Sequence, residues 1–301
     1  MILAGALMFS ACSEAEKQQV IDAVQNINIR NGEEADTVAK LDEKLSESSG
    51  LAYVNGMLWT HNDGGKANEL YQLDMKSGKI LKTVEVSNAK NVDWEDLAFD
   101  DTYLYIGDFG NNKGDRKDLK IYKIKLEDLS TKERVEAEII EFSYATQTSF
   151  TSANRKTNYD CEAFIVYENK IYLFSKNWLN SKTDMYVMGT DAGVEVAEHV
   201  EEYNTNTLIT GASIDKENKV LVLLGYTKGL SPRTWIFSEF TDSNFFAGKK
   251  EKLSWGTPTK AQVEGVTHVG KNKLYISSEK YNYSNSAGSF TIKQSLYELD
   301  Y

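Results

Sequence analysis

Three glutamates occupy the same position of a repeated sequence pattern, and acidic residues lie close to two of them. Glu95 begins Glu-Asp-Leu-Ala, Glu162 begins Glu-Ala-Phe-Ile and Glu264 begins Glu-Gly-Val-Thr. Asp93 and Asp160 precede the first two glutamates by two positions. Carboxylates that are brought together repel one another unless a cation neutralises them, and clusters of oxygen ligands suit hard cations such as Ca²⁺. We therefore predict a Ca²⁺ site where these residues meet.

Further polar side chains follow the next apolar run of several repeats. These side chains are Asn62, Asp63, Asp108, Asn111, Lys176 and Glu279. We expect them to lie beside the glutamates. Asp108 completes the predicted metal ligands, which are Glu95, Glu162, Glu264, Asp108, Asp93 and Asp160. The other residues of this second group, together with Arg116, are predicted to bind a ligand.

A structural role for the acids is the alternative interpretation. Asp and Glu side chains at the start of a strand can accept backbone N–H bonds and hold loops together, and they would recur simply because the pattern recurs. The equivalent positions Ser49 and Thr210 carry no carboxylate, however. This asymmetry is more typical of a binding site than of a repeated scaffold, because perturbed acids cluster at functional sites.

The repeat itself predicts the fold. The positions Ser49, Glu95, Glu162, Thr210 and Glu264 are separated by 46, 67, 48 and 54 residues. After each of them come short runs rich in Tyr, Ile, Val and Leu with period-2 alternation, which is typical of β-strands. Four-stranded units of about 40–50 residues are typical of β-propeller blades. We predict an all-β protein with a single propeller of four-stranded blades; five blades are preferred, and six is the competing count.

The two ends of the chain are expected to meet in this propeller. About three strands follow Glu264, so the last blade lacks one strand. Residues 37–44 read as a strand that supplies it, and the ring would be closed by this N-terminal strand. The propeller domain is accordingly predicted to span residues 37–301.

The first residues resemble a bacterial lipoprotein signal. Ile2 to Phe9 form an apolar run too short to span a bilayer, and small residues precede Cys12. We predict a signal peptide over residues 1–11, lipidation of Cys12 and a polar tether over residues 12–36. The protein would then be anchored by lipid in the bacterial cell envelope and face the periplasm or the exterior. The alternative is an apolar tail without a function.

Composition excludes several other classes. The formal net charge of −11 argues against nucleic acid, because phosphate binding needs clustered Lys and Arg. With Cys12 acylated, Cys161 would be the one remaining cysteine and no disulfide would form. No stretch after residue 12 is long and apolar enough to cross a membrane, so membrane contact is expected through the lipid anchor alone. The protein is expected to be a monomer.

Other groups suggest weaker alternatives. His61 and His268 could reach the acidic residues and give a transition-metal site of histidines and carboxylates, although an isolated His is more often an ordinary hydrogen-bonding residue. The aromatic residues Trp94, Trp178 and Tyr281 suit stacking on a ligand, but packing between blades is the preferred interpretation for Trp94.

One stretch carries a resemblance to a known family. Asp93-Trp-Glu-Asp-Leu-Ala and Tyr105-Ile-Gly-Asp-Phe-Gly-Asn-Asn, followed by Arg116 and Ile121-Tyr, resemble the bacterial phytase-like and esterase-like β-propellers. The resemblance covers about residues 45–301. It implies Ca²⁺ at the acidic mouth of the channel, with phosphomonoester hydrolysis as one activity. By the same resemblance, Arg116, Arg155, Lys176 and Lys280 are the cations available to hold phosphates.

Two functional hypotheses follow. The first is a surface-tethered propeller whose Ca²⁺-binding mouth recognises a small-molecule or protein ligand. The second is a calcium-dependent phosphoesterase or a related hydrolase, in which metal-bound water attacks a phosphorus or acyl centre. A hydrolase needs an open metal position and a cationic clamp, whereas a binding protein needs neither.

Overall fold

The computed structural model describes residues 27–285 and 288–301. In this part of the chain, nearly all regular structure is antiparallel β-sheet. Two short helical segments occur in the described residues, a 3₁₀ turn at Glu43–Leu45 and the helix α1 at Leu126–Thr131. None of the helices described is long and apolar enough to cross a membrane.

The strands follow one another as successive antiparallel sheets. Two strands precede them, β1 (Ile27–Glu34) and β2 (Asp36–Lys40). Blade 1 contains β3 (Ser48–Val54), β4 (Met57–Asn62), β5 (Glu69–Leu73) and β6 (Ile80–Val86). Blade 2 contains β7 (Trp94–Phe99), β8 (Tyr103–Asp108), β9 (Lys120–Lys125) and, after β10 (Arg134–Val135), β11 (Glu138–Tyr144).

The remaining blades repeat this order. Blade 3 contains β12 (Cys161–Tyr167), β13 (Lys170–Ser175), β14 (Thr183–Gly189) and β15 (Gly193–Tyr203). Blade 4 contains β16 (Leu208–Asp215), β17 (Val220–Tyr226), β18 (Pro232–Ser238) and β19 (Lys249–Thr257). Blade 5 contains β20 (Val263–Gly270), β21 (Lys273–Ser278) and, after the hairpin β22 (Tyr281–Asn285) and β23 (Gly288–Ile292), β24 (Ser295–Asp300).

The first strand of each blade lies innermost. β3, β7, β12, β16 and β20 contact one another in this order, and β20 contacts β3 again. Five sheets arranged around a ring of first strands form a β-propeller. The predicted fold class is confirmed, and residues 27–285 and 288–301 form five blades rather than six.

The ring is closed by the N-terminal strand, as predicted. β2 pairs antiparallel with β24, with Thr37 opposite Tyr297 and Lys40 opposite Ser295. β2 is thus the fourth strand of blade 5, and the predicted strand over residues 37–44 is shorter at its C-terminal end. Blade 5 therefore joins a strand that precedes blade 1 to β24, which follows all the other blades.

The range predicted as a tether differs from the structure. Residues 27–34 form β1, which runs parallel to β19 on the outer edge of blade 4, with Ile29 opposite Lys252. Backbone pairing with an existing edge supports this strand, although Ile29 is largely exposed. The ordered domain thus begins before residue 37. The predicted signal peptide and Cys12 lie outside the described residues.

Apolar side chains between neighbouring blades form the core. Trp94 is fully buried with Ala52, Trp59 and Leu104 between blades 1 and 2. Its ring meets the His61 ring edge-on, with 5.6 Å between the centroids. Packing between blades is therefore the role of Trp94, and it does not face a ligand.

Candidate functional site

Every innermost strand has a β-bulge near its start. The regular pairing is interrupted after Ser48, Trp94, Cys161, Ile209 and Val263. These interruptions lie at or next to the repeated positions Ser49, Glu95, Glu162, Thr210 and Glu264. Because a bulge bends its strand and re-aims side chains, it is often found beside functional sites.

The three glutamates of these positions line one cavity, whereas the two hydroxyl residues do not. The cavity has a volume of about 470 Å³ and lies where the innermost strands begin. Its lining comprises Asp63, Glu95, Asn112, Arg155, Glu162, Lys176, Trp178, Leu208, Tyr226, Lys228, Leu230, Gln262, Glu264 and Tyr281. Ser49 instead donates to the Glu95 carbonyl, and Thr210 donates to the Val263 carbonyl at 2.7 Å. The repeated position thus serves both binding and structure.

Asp63, Asp93 and Glu95 form a carboxylate triad. One oxygen from each residue lies within 4.8 Å of the other two. Asp63 comes from the loop after β4 of blade 1, and Glu95 lies in β7 of blade 2. We find no donor at hydrogen-bond distance from the Glu95 carboxylate among residues 27–285 and 288–301. An oxygen-only set of this kind fits Ca²⁺, and water or a ligand would complete the six to eight oxygens.

Two glycines make room for the triad. A methyl group at Gly110 would collide with the carboxylates of Glu95 and Asp93, and one at Gly64 would collide with Asp93. Any side chain at these positions would have to displace the acids. The close approach of backbone and carboxylates therefore requires glycine at both positions.

Burial and mutual repulsion disfavour the charged forms of the triad. Burial, reinforced by the charges of Asp63 and Asp160, raises the pKa of Asp93 to about 7. Burial and the neighbouring charges of Asp63 and Glu162 raise the pKa of Glu95 well above its usual range. Burial also raises the pKa of Asp63. A divalent cation would remove this repulsion, since an opposite charge favours the ionised carboxylates.

A second network lies across the cavity from the triad. The Lys176 ammonium forms a buried salt bridge with Glu162 and lies 3.2 Å from the Tyr226 hydroxyl. The Tyr226 hydroxyl donates to Glu264 Oε1 at 3.3 Å. Burial alone would lower the pKa of Lys176, but the combined charges of Glu162, Tyr226, Glu264 and Asp160 outweigh it and the pKa lies well above the usual range. Lys176 therefore carries a positive charge.

Glu264 retains a free acceptor toward the cavity. Its Oε2 atom is buried and finds no hydrogen-bond partner in the described part of the chain. Burial raises the pKa of Glu264 to about 7, although the Lys176 charge opposes this shift. The neighbouring Glu279 is also buried and accepts a hydrogen bond from Gln262. Glu264 is thus the group of this network best placed to meet a ligand.

Two predicted metal ligands are held by the protein instead. Asp160 accepts the backbone N–H of Asn111 and the indole N–H of Trp178, both at 2.6 Å. Asp108 accepts from the backbone N–H of Asp93 at 3.1 Å and from Arg116 at 2.9 Å. Both aspartates connect loops, which is the structural role considered as the alternative.

Four predicted ligand-binding residues lie outside the cavity lining, namely Asn62, Asn111, Arg116 and Glu279. Asn62 donates to the Lys44 carbonyl at 2.9 Å, and Asn111 donates to the Tyr159 carbonyl at 3.1 Å. Arg116 is occupied by Asp108 and by the Gly110 carbonyl at 2.8 Å. These side chains stabilise the loops that position the site, because their polar atoms are already paired within the protein.

Sequence reasoning missed Tyr226 and Lys228. Tyr226 pairs with Leu208 at the end of β17, as Asn62 pairs with Ser48 at the end of β4. An alignment of the ends of the second strands would have found it. The sequence did not point to Tyr226 because its partner at the start of blade 4 is Leu208, and no acid next to Leu208 marks this position.

Asp96 is a further residue with an unpredicted role. Its fully buried carboxylate accepts from the backbone N–H of Leu97 at 2.8 Å, Phe164 at 3.3 Å and Ala212 at 3.2 Å. It thereby joins the innermost strands of blades 2, 3 and 4. Asp96 does not line the cavity, so its role is structural.

Comparisons with known proteins do not assign a family or an activity to this chain. No protein-family model matches the sequence, and no curated protein of similar sequence was found. Among solved structures, the PQQ-bound form of aldose sugar dehydrogenase from Streptomyces coelicolor matches with a TM-score of 0.48 and 11% identity. The match covers 88% of this chain and 96% of that chain. The chain is a β-propeller, and its activity has to be inferred from its own residues.

Proposed function

We propose that this protein is a lipid-anchored binding propeller of the bacterial cell envelope, with Ca²⁺ and a ligand held at its acidic mouth. The observation that carries the proposal is the triad of Asp63, Asp93 and Glu95, whose oxygens lie within 4.8 Å of one another. The triad borders a cavity large enough for a small molecule or a protruding protein side chain.

The triad residues would hold the cation, and the opposite wall would hold the ligand. Glu264 offers its unpartnered Oε2 atom, and Gln262 and Tyr281 line the same cavity. Trp178 also lines it, with the Arg155 guanidinium 4.8 Å from the ring. These groups can recognise a ligand that carries hydroxyl or amide donors, with the cation contributing a positive charge.

Calcium titration tests the proposal. We expect isothermal titration calorimetry to detect Ca²⁺ binding at one site, with weaker binding of Mg²⁺, because Mg²⁺ loses its water shell reluctantly. Glu95→Gln should abolish Ca²⁺ binding, whereas Glu298→Gln, which alters a surface pair with Lys273, should not. Wild-type protein that shows no heat of binding at millimolar Ca²⁺ would remove the metal from the proposal.

The anchor is a separate part of the proposal. Lipidated Cys12 would hold the propeller at a membrane, with the segment before β1 as the connection and the domain facing the periplasm or the exterior. We expect the full chain to fractionate with detergent-soluble membranes, and Cys12→Ser to release it. Unchanged fractionation of Cys12→Ser would contradict lipidation.

A phosphoesterase is the second candidate, because a specific observation favours it. Arg155, Lys176 and Lys228 line the same cavity as Asp63 and Glu95. These cations are the groups that would hold a phosphate beside the metal. The clamp is smaller than the resemblance implied, since Arg116 is paired with Asp108 and Lys280 with Glu43, and Lys176 would share its charge with Glu162.

A phosphomonoester assay distinguishes the two candidates. Turnover of a generic phosphomonoester that requires Ca²⁺ and is lost in both Glu95→Gln and Arg155→Met would establish the hydrolase. Ca²⁺ binding without turnover would establish the binding protein. Lys293→Met, which changes a surface lysine near Glu43, serves as the control for Arg155→Met.

A further inference from the structure

A second cavity lies at the other end of the innermost strands. The acidic mouth is formed by the first residues of these strands, whereas this cavity is lined by their later residues, such as Phe99, Val166 and Asp215. Its volume is about 290 Å³. Ligand cavities usually measure about 300–1,000 Å³, so this one suits a small molecule. The proposed function at the acidic mouth does not involve it.

The walls of this cavity are mainly apolar. Leu51, Leu97, Phe164, Ile165 and Val266 line it from four different blades. All five are buried, with at most 2% of their surface exposed, because their side chains pack in the hydrophobic clusters of the core. A molecule that enters would meet apolar residues on several sides, and burial of its own apolar surface would contribute to binding.

One polar chain of three residues reaches the cavity. The Ser213 hydroxyl lies 2.8 Å from Nδ1 of His268, and Nε2 of His268 lies 3.1 Å from the Tyr301 hydroxyl. The backbone N–H of His268 also donates to the Ser213 hydroxyl oxygen at 3.1 Å. Ser213 and His268 both line the cavity, so this series of hydrogen-bonded side chains ends at a hydroxyl that a ligand can reach.

The hydroxyl of Ser213 keeps one hydrogen-bonding position in either tautomer of His268. If Ser213 donates to Nδ1, its oxygen accepts from the His268 backbone and has one acceptor position left. If Nδ1 donates to Ser213, both acceptor positions are used and the hydroxyl hydrogen is left. No other partner of this hydroxyl exists among the described residues. A ligand hydroxyl satisfies both arrangements, because it donates and accepts.

The charges around the cavity disfavour anions. Asp101, Asp215 and Glu217 line its rim, against the single cation Lys216. Burial lowers the pKa of His268 to about 4, although the Asp215 charge opposes this shift, so the imidazole is neutral at pH 7. An anionic molecule would meet no compensating charge beside Ser213. The occupant should therefore not be an anion, and a cation would have to lose its hydration among apolar residues, so an uncharged molecule fits best.

We propose that this cavity is a second binding site, which takes a small, uncharged, mainly apolar molecule through one hydroxyl group that hydrogen-bonds to Ser213. The apolar walls provide affinity, and the Ser213–His268–Tyr301 chain provides selectivity for the hydroxyl. The site is independent of metal, because none of the triad residues lines it.

Three probes of similar shape test the proposal: phenol, toluene and benzoate. Binding to the full chain is measured in EGTA by NMR, with the shifts of Leu97 and Val266 reporting on the cavity. We expect phenol to bind more tightly than toluene, and benzoate to bind least. Ser213→Ala should lower the affinity for phenol about five- to tenfold, as expected for the loss of one hydrogen bond, and leave the affinity for toluene unchanged.

Two variants serve as controls. Ser295→Ala removes a buried hydroxyl that donates to the Lys293 carbonyl outside the cavity, and it should change neither affinity. Glu95→Gln alters the acidic mouth and should also have no effect, which separates this site from the proposed Ca²⁺ site. Toluene binding by Ser213→Ala shows that the cavity is intact. Equal phenol affinities of Ser213→Ala and wild type, or benzoate binding as tightly as phenol, would overturn the proposal.

Discussion

Glu162 and Lys176 form a salt bridge in which each side chain is 5% exposed. The two residues lie in β12 and directly after β13, on neighbouring strands of blade 3. Removal of one partner of a buried pair leaves the other charge without compensation, which is costly. Loss of either partner would therefore destabilise the wall of the cavity.

We predict that Lys176→Met lowers the free energy of unfolding by about 3–5 kcal/mol, because Glu162 is left buried and unpaired. Urea denaturation measures the change. Lys182→Met is the matched control: Lys182 pairs with Glu202 at the surface, where an ion pair contributes about 0–1 kcal/mol. Equal losses in the two variants would show that the burial of the Glu162–Lys176 pair is energetically unimportant.

Stability without metal should increase as the pH falls from 8 to about 6.5. Asp93 and Glu264 have pKa values of about 7 in the folded protein, above the value near 4 of unfolded carboxyls. The folded state thus binds more protons between pH 4 and 7, and these two groups destabilise it progressively as the pH rises through that window. Burial lowers the pKa values of His61 and His268 to about 4, and these histidines oppose the trend below about pH 6.5. We therefore expect the melting temperature in EGTA to rise on acidification from pH 8 to about 6.5.

Asp93→Asn should reduce this pH dependence, since the amide does not titrate. Asp118→Asn is the control, because its carboxyl has a lowered pKa and lies at the surface beside Arg116. Calcium should reverse the trend, as protons compete with the cation for the triad. A melting profile of Asp93→Asn that superimposes on that of wild type in EGTA would contradict the assignment.

Gly110→Ala should lower the affinity for Ca²⁺ at least tenfold. The new methyl group would push aside the Glu95 and Asp93 carboxylates, and their separation would no longer suit one cation. Gly270→Ala is the matched control, because a methyl group at Gly270 meets no atom within 4 Å. Calorimetric titration of both variants provides the measurement. Unchanged Ca²⁺ affinity of Gly110→Ala would place any bound ion elsewhere.

Asp96→Leu should destabilise the propeller by several kcal/mol. Three backbone N–H groups, those of Leu97, Phe164 and Ala212, would lose their acceptor, and each buried unpaired donor costs about 1–3 kcal/mol. Denaturation by urea is the appropriate measurement. Asp100→Leu provides the comparison at a surface turn, where water can replace the lost acceptor for Thr102 and Tyr103. A smaller loss in Asp96→Leu than in Asp100→Leu would refute the joining role.

The fold was largely predictable because the same types of side chain recur at equivalent positions of successive blades. Glu95, Glu162 and Glu264 occupy equivalent positions of equivalent strands, so a regular ring brings them to one cavity. β1 was not predictable in this way, because its pairing with β19 uses backbone groups and leaves Ile29 exposed. A strand that attaches to an existing edge needs little apolar alternation.

The roles within the site depended on contacts that spacing does not show. Asp93 and Asp160 look alike in sequence, each two residues before a glutamate. Asp160 accepts two hydrogen bonds within the protein, whereas Asp93 faces Asp63 and Glu95 across a space kept open by Gly110. Which acid is already paired depends on loops from other blades, and a single sequence does not reveal these loops.

The closing strand has a consequence for the order of folding. β2 is synthesised before blade 1, but its partner β24 is synthesised only after blades 1 to 4. Blades 1 to 4 can form while β2 is still unpaired. The exposed edge of β24 is covered only when β2 pairs with it and the ring closes. Pairing across such a sequence distance is slow. The newly made chain therefore passes through an open ring, and this is the stage at which a chaperone would be of most use.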